Sequence, residues 1–337
     1  MKKLLCMLLV SLLCGCAAEK PYQRYSVSFF EYFDTLITIT GYAQSQAEFD
    51  KAADQAKAEF SYLHQLFDNY NEYPGINNLC TMNRLAGREP VRVEPEMMAL
   101  LIWARQLQTQ YPGKVNAAMG SVLSLWHQAR AENRLPNADQ LRHAAQHTDF
   151  DDVLLNEAQG TVFFQDPELK LDLGAVAKGY AVERVAESMA DALPHFLINA
   201  GGNVRCGERP MDGRAAWKVS IQNPDAAMTG QNDILTSVST VQRSLVTSGD
   251  YQRYFEVDGV RYHHIIDPDT LYPASLYRSV SVITPDSGLA DFLSTYLFLS
   301  DLEEGMALVE SLPDTEALWV LSDGIIQTSS GFSALES

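Results

Sequence analysis

The segment Tyr262-His263-His264-Ile265-Ile266-Asp267-Pro268 sets two adjacent imidazoles close to a carboxylate. Histidine can ligate a metal or move a proton near neutral pH. The flanking apolar residues read as a strand, on which neighbours face opposite ways. His264, Ile266 and Pro268 would share one face, and His263, Ile265 and Asp267 the other. Three readings are open: a metal site, an acid–base histidine, or two surface histidines at a strand end.

A second constellation is Asp172-Leu173-Gly174-Ala175-Val176-Ala177-Lys178-Gly179-Tyr180. A strand is expected to end at Asp172, with a turn at Gly174 and a helix starting a residue or two later. Backbone N–H groups at a helix start, with Lys178 one turn in, suit a phosphate. Asp172 suits a ring N–H or a ribose hydroxyl. The alternative is a capping aspartate beside a solvated lysine.

Asp291 and Thr295 stand four apart on an expected helix and therefore share a face. Two hard oxygen ligands suit Mg²⁺ or Ca²⁺ and disfavour zinc. Alternatively, Asp291 favours the helix start and Thr295 bonds back to its own backbone. Asn199-Ala200-Gly201-Gly202-Asn203 after a buried strand reads as a tight turn or a close backbone approach to a ligand. His143 and His147 have metal-ligand spacing, but without the Glu of H-E-x-x-H or a neighbouring third ligand they read as a surface helix.

The elements that must position these groups mix strands and helices. Alternating apolar residues mark strands over 25–42 (one long strand or a pair), 91–93, 153–172 (two, turning near Asp166-Pro167), 196–199, 217–222, 237–246, 254–266, 317–321 and 325–328. Helical spacing marks 44–66, 94–110, 120–131, 135–145, 176–193, 290–299 and 302–312. Several strands are consecutive, which predicts an α+β fold with a mostly antiparallel sheet and packed helices. No linker divides residues 25–330, so one domain is expected, and 329–337 reads as a frayed tail.

Lys2 and Lys3 precede the apolar run Leu4–Leu13, too short for a membrane span, in the manner of a secretory signal. Leu13-Cys14-Gly15-Cys16 looks like a bacterial lipobox, with residues 1–15 as the signal, Cys16 as the lipidated first mature residue and 16–24 as a tether. The 337-residue chain carries a formal charge of −18, which becomes −20 without the two signal lysines. Nucleic acid is therefore not an expected partner. Cys80 and Cys206 are the only cysteines beyond the signal region and are expected as free thiols.

Asp172–Ala181, Asn199–Asn203, Thr247–Glu256 and His263–Pro268, in that order, resemble the ApbE family of FAD:protein FMN transferases. The resemblance covers most of the mature chain, and Ala290-Asp291 to Thr295 falls on the family's A-D-x-x-x-T pattern. It implies a fold related to the T-fold, with FAD held between lobes. It implies Mg²⁺ bound by Asp291, Thr295 and the main-chain oxygen of Ala175. FAD contacts would come from Asp172, Lys178, the loop near Phe33, Tyr70 and Asn116-Ala117-Ala118. His264 would lie near the flavin diphosphate as the candidate base.

The implied reaction is attack by a Thr or Ser hydroxyl of an acceptor flavoprotein on the FMN-side phosphorus, with AMP leaving. An FAD pyrophosphatase giving FMN and AMP, or a non-catalytic flavin-binding lipoprotein, would use the same site. The implied location is exported and anchored to the membrane by its lipid, on the periplasmic or extracellular face. Three positions depart from the family pattern. Leu271 stands where Gly is usual, so that turn is expected to differ. Asp34 stands before Thr35 in place of Gly. Asn116 and Ala118 replace Asp and Thr, which leaves backbone contacts there.

Overall fold

A computed structural model of the chain describes residues 21–226 and 232–337. The signal, the lipobox with Cys16 and most of the tether lie outside the described residues. The chain begins with β1 (Gln23–Phe29), β2 (Ile37–Ala43), α1 (Gln46–Phe67), α2 (Leu79–Arg84), β3 (Val91–Arg92), α3 (Pro95–Gln110), α4 (Gly120–Glu132) and α5 (Ala138–Ala144). There follow β4 (Val153–Asn156), β5 (Thr161–Phe164), α6 (Ala177–Met189), β6 (Phe196–Ala200), β7 (Asn203–Cys206), β8 (Trp217–Gln222) and β9 (Ile234–Thr240). The last elements are β10 (Ser244–Gly249), β11 (Tyr254–Val257), β12 (Val260–His263), β13 (Tyr277–Thr284), α7 (Ser287–Phe298), α8 (Leu302–Ser311), β14 (Glu316–Leu321) and β15 (Ile326–Thr328).

Eight strands form one sheet in the order β1-β2-β6-β7-β10-β13-β14-β15, and every neighbouring pair is antiparallel. The α+β expectation holds. Alternation along β2, β6 and β13 sends Ile39, Ile198 and Val282 into a core shared with α1, α3, α6 and α7. The opposite sheet face packs on β8 and β9 through Trp217, Val219, Ile221 and Val238. A third cluster joins α4 and α5 to the β11–β12 hairpin around Trp126. Local signals account for the helix starts: Ser45 Oγ accepts the Glu48 N–H ahead of α1, and Asp286 Oδ1 accepts the Leu289 N–H ahead of α7.

Several expectations are corrected. Of the two alternatives for residues 25–42 the strand pair holds, and residues 237–246 divide between β9 and β10. The turn between β4 and β5 lies at 157–160, and Asp166-Pro167 follows β5. Asp172 ends no strand; its N–H donates to the Ala117 carbonyl at 2.8 Å, which lays this segment beside 116–119. The strand through the histidine pair stops at His263, so His264 sits on a bend. Central strand β13 was not among the expected strands, although its Ser-Val-Ser-Val alternation carries the strand signal.

Leu271 is left-handed at φ 63°, a conformation that glycine adopts freely. A leucine there costs about 1–2 kcal/mol, offset by burial against the Trp126 cluster and by the Trp126 Nε1–H donated to the Leu271 carbonyl at 2.9 Å. The C-terminal segment does not fray. Phe332 is fully buried under the sheet, Ser239 N–H donates to the Leu335 carbonyl, and Ser337 N–H donates to Ser237. Phe332→Ala is therefore expected to destabilise the chain by about 3–5 kcal/mol. Thermal denaturation checks this; an unchanged midpoint would mean the segment is not docked.

Candidate functional site

The N-terminal turns of α6 and α7 meet where Gly179 faces Asp291. Gly179 N–H is one of the helix-start donors with no intrahelical acceptor, and Asp291 Oδ2 accepts it at 2.8 Å. A Cβ at position 179 would lie 2.4 Å from both Asp291 Cβ and the Ser287 carbonyl oxygen. The glycine thus permits the two helices to approach this closely. Gly179→Ala is expected to force them apart at about 1–3 kcal/mol and to weaken divalent-cation binding at Asp291. Thermal denaturation together with Mg²⁺ titration checks it.

Asp291 is almost fully buried. Burial raises its pKa, opposed by Lys178, by the Gly179 N–H and by the Asn203 amide. Lys178 is shifted the other way: burial lowers its pKa, Asp291 opposes this, and Arg253 adds to it. Asn203 is fully buried, and neither its Oδ1 nor its Nδ2 completes a hydrogen bond of ordinary geometry. Thr295 Oγ1 lies 3.2 Å from Ser248 Oγ and only 3.5 Å from the Asp291 carbonyl, so the back-bond to its own helix is weak. Among the described residues the Ala175 carbonyl accepts no hydrogen bond. A buried carboxylate, a hydroxyl and an unpartnered carbonyl form an all-oxygen donor set that fits a hard cation such as Mg²⁺.

These groups line one cleft of about 880 Å³. Its walls bring together Phe33, Tyr70, Asn116, Ala117, Asp172, Ala175, Lys178, His264, Asp291 and Thr295. Ala118 is fully buried behind them and its side chain is not in the wall. Asn116 spends its side chain on structure: Nδ2 donates to the Thr148 carbonyl and Oδ1 accepts the Ala118 N–H. Asp172 Oδ1 accepts the Gly174 N–H at 2.8 Å within the turn ahead of α6, whose N-cap is Val176, so Asp172 does not cap the helix; among the described residues Oδ2 has a 3.4 Å contact from Asn69.

The two histidines separate because the strand ends at His263 and the chain bends at His264, not by strand alternation. His263 is buried: Nδ1 accepts the Ile265 N–H at 3.2 Å, so Nε2 carries the proton donated to the Ala274 carbonyl at 2.7 Å. Its role is structural. His264 opens onto the cleft, and Nδ1 faces the Arg253 carbonyl at 3.3 Å. A carbonyl only accepts, so Nδ1 carries the proton and the Nε2 lone pair is free. Burial, then the nearby positive Arg253 and Lys178, hold its pKa down to about 3. His264 is therefore neutral at pH 7.

Phe33 and Asp34 are both left-handed, at φ 54° and 51°. Asp34 thus adopts a conformation natural to the glycine usual at that position, which Asp tolerates better than most residues. Next to it Thr35 packs over Gly201, where any Cβ would lie 1.8 Å from Thr35 Oγ1. Gly201 and Gly202, at φ 57° and 94°, form the β6–β7 turn and also line the cleft. The tight-turn reading of that motif holds. Tyr70 Oη lies 3.0 Å from His127 Nδ1, and this pair forms part of the cleft wall.

A family model described as "ApbE family" matches residues 33–319. The chain belongs to the ApbE family. A FAD:protein FMN transferase of Treponema pallidum is 34% identical over 96% of this chain and 92% of its own length. One from Klebsiella pneumoniae is 34% identical over 82% and 86% respectively. The solved ApbE protein of Thermotoga maritima is 29% identical with a TM-score of 0.83, covering 94% of this chain and all of its own. The Vibrio cholerae flavin transferase ApbE, at 24% identity and TM-score 0.79 over the same shares, supports the fold.

Within this ApbE-family cleft, Ser248, Arg253, His127, Arg130 and Lys114 were not singled out by sequence. Arg253 and Ser248 lie inside the quoted stretch Thr247–Glu256, yet no spacing rule assigns them a role. Arg253 lines the cleft beside His264, and its loop is braced by Arg278, whose Nε donates to Asp250 at 2.7 Å. Arg130 and His127 come from α4 and share a face one turn apart, a signal visible only once α4 is known to border the cleft. With Lys114, Lys178 and Arg253, Arg130 gives the cleft four cationic side chains in a strongly acidic protein. One expectation fails: Glu168, distant in sequence, stands as a third potential ligand beside His143 and His147, and α5 ends at Ala144, before His147.

Proposed function

We propose that this chain is a transferase that moves FMN from FAD to a threonine or serine hydroxyl of an acceptor protein, releasing AMP. The observation that carries the reading is the cleft, where an all-oxygen donor set, Lys178 and Arg253 share walls with a neutral histidine. The names of the two 34%-identical relatives support the same activity. FAD lies in this cleft, with Phe33, Tyr70, Asp172 and the 116–118 backbone as contacts. Asp291, Thr295 and the Ala175 carbonyl would hold Mg²⁺, which when bound neutralises diphosphate charge.

The chain's own residues supply the rest. Lys178 and Arg253 place positive charge at the phosphate oxygens, where charge builds in the transition state. The acceptor hydroxyl oxygen attacks the FMN-side phosphorus, and His264 Nε2 takes its proton. The bond from that phosphorus to the bridging oxygen breaks, and AMP departs with that oxygen. Walls of buried apolar and backbone groups hold the two reactants in line.

Incubation with FAD, Mg²⁺ and a candidate acceptor tests the reading through a mass gain of one FMN on the acceptor. AMP released at the same rate without acceptor would make the chain a pyrophosphatase; no AMP under either condition would leave a flavin-binding protein. Lipid on Cys16 anchors the chain to the outer face of its membrane in this reading. Cys16→Ala is expected to move the protein from the membrane fraction to the soluble one, and continued membrane retention would overturn the anchor.

A further inference from the structure

We infer that His143, His147 and Glu168 form a second cation site, for a zinc-class ion, separate from the oxygen donor set of the cleft. Their ligand atoms all lie within 4.8 Å of one another. His143 Nε2 is 2.9 Å from Glu168 Oε2, and His147 Nε2 is 3.8 Å from Glu168 Oε1. The two rings stand edge to face, 4.9 Å between centroids.

The decisive group is His147. Its Nδ1 lies 2.7 Å from Asp166 Oδ2. The carboxylate accepts, so Nδ1 carries the proton and Nε2 presents its lone pair. That Nε2 is buried and has no hydrogen-bond partner. A carboxylate orienting a histidine whose other nitrogen faces further ligands is the usual outer-shell arrangement of a zinc histidine. Asp166 is itself held, because its Oδ1 accepts the Glu168 N–H at 2.8 Å.

Two imidazoles and one carboxylate suit zinc, and the exposed side chains of His143 and Glu168 leave a fourth position for water. Tetrahedral ligands on zinc stand roughly 3.3 Å apart at bond lengths near 2.0–2.1 Å. A small rotation of His143 and Glu168, both at the surface, closes the present spacing to that value. Mg²⁺ is a poor competitor for imidazole ligands.

The site would tie the end of α5 to the segment that runs on to Asp172. That segment is already fastened to α4: Ser121 Oγ donates to the Glu168 carbonyl, and Gly120 N–H to the Lys170 carbonyl. A zinc ion here would therefore stiffen one wall of the cleft from outside it.

The test uses the full-length chain, zinc competed against a chromophoric chelator in the presence of saturating Mg²⁺, and thermal denaturation with and without zinc. One equivalent is expected to bind and to raise the midpoint by about 5 °C at hundredfold excess over Kd. His143→Ala, at a surface position that folding does not need, should weaken binding at least a hundredfold and abolish the midpoint rise. Asp166→Asn should weaken it about 10–100-fold. Asp291→Asn should leave zinc affinity unchanged, which separates this site from the cleft. Equal zinc affinity in His143→Ala, Glu168→Gln and the unaltered chain would overturn the inference, as would absence of any zinc-dependent midpoint rise.

Discussion

Asp291→Asn is expected to lower AMP release from FAD by about 10³-fold, or roughly 4 kcal/mol of transition-state stabilisation. The carboxylate is the only charged member of the oxygen donor set, and an amide oxygen is a far weaker partner for a hard cation. Asparagine keeps an oxygen that can accept the Gly179 N–H, so the contact between α6 and α7 survives. Alanine would remove it and confuse loss of the ion with loss of packing. Without metal, the variant should be no less stable than the unaltered chain, because the buried carboxylate pays a desolvation penalty that burial imposes on its charged form. The measurement is AMP release against Mg²⁺ concentration, with the melting midpoint recorded in chelator. Unchanged turnover would remove Asp291 from the metal site.

His264→Ala is expected to reduce FMN transfer by 10²–10⁴-fold, the range of a positioned base, while FAD affinity changes by less than about threefold. His264 opens onto the cleft but makes its one protein hydrogen bond to the Arg253 carbonyl. Its removal should therefore leave the cation set and the flavin-facing walls in place. Because its pKa is held low in the free chain, the base form persists well below neutrality. The profile of kcat/KM against pH should then lack an acid limb near 6.5, where an unperturbed histidine would lose activity by protonation. Equal losses of affinity and transfer would make His264 a binding residue; an acid limb near 6.5 would show that burial and the neighbouring cations do not hold its pKa down.

Much of the site was legible because its signals are local. The i, i+4 spacing of Asp291 and Thr295 and the glycines of the β6–β7 turn each depend on a few neighbouring residues. Helix limits followed from the same short-range rules, within a few residues of those observed for α1, α3, α4 and α7. The errors came where context overrode them. Phe332 turned an expected loose end into part of the core. Asp172 was misplaced as a strand end because its backbone partner, Ala117, is far away in the chain.

Through the family resemblance the sequence pointed to His264 rather than His263; by itself it determined the antiparallel α+β class and the candidate ligands Asp291 and Thr295. These rest on periodicity and residue chemistry, which a short window contains. Only the tertiary structure decided that Gly179 lets α6 and α7 close on Asp291, 112 residues away. It also decided that the Ala175 carbonyl is free, that Arg253 stands beside His264, and that Glu168 meets the His143–His147 pair. Each is a meeting of segments brought together by burial of separate apolar faces, and burial is a property of the packed chain that no local spacing encodes.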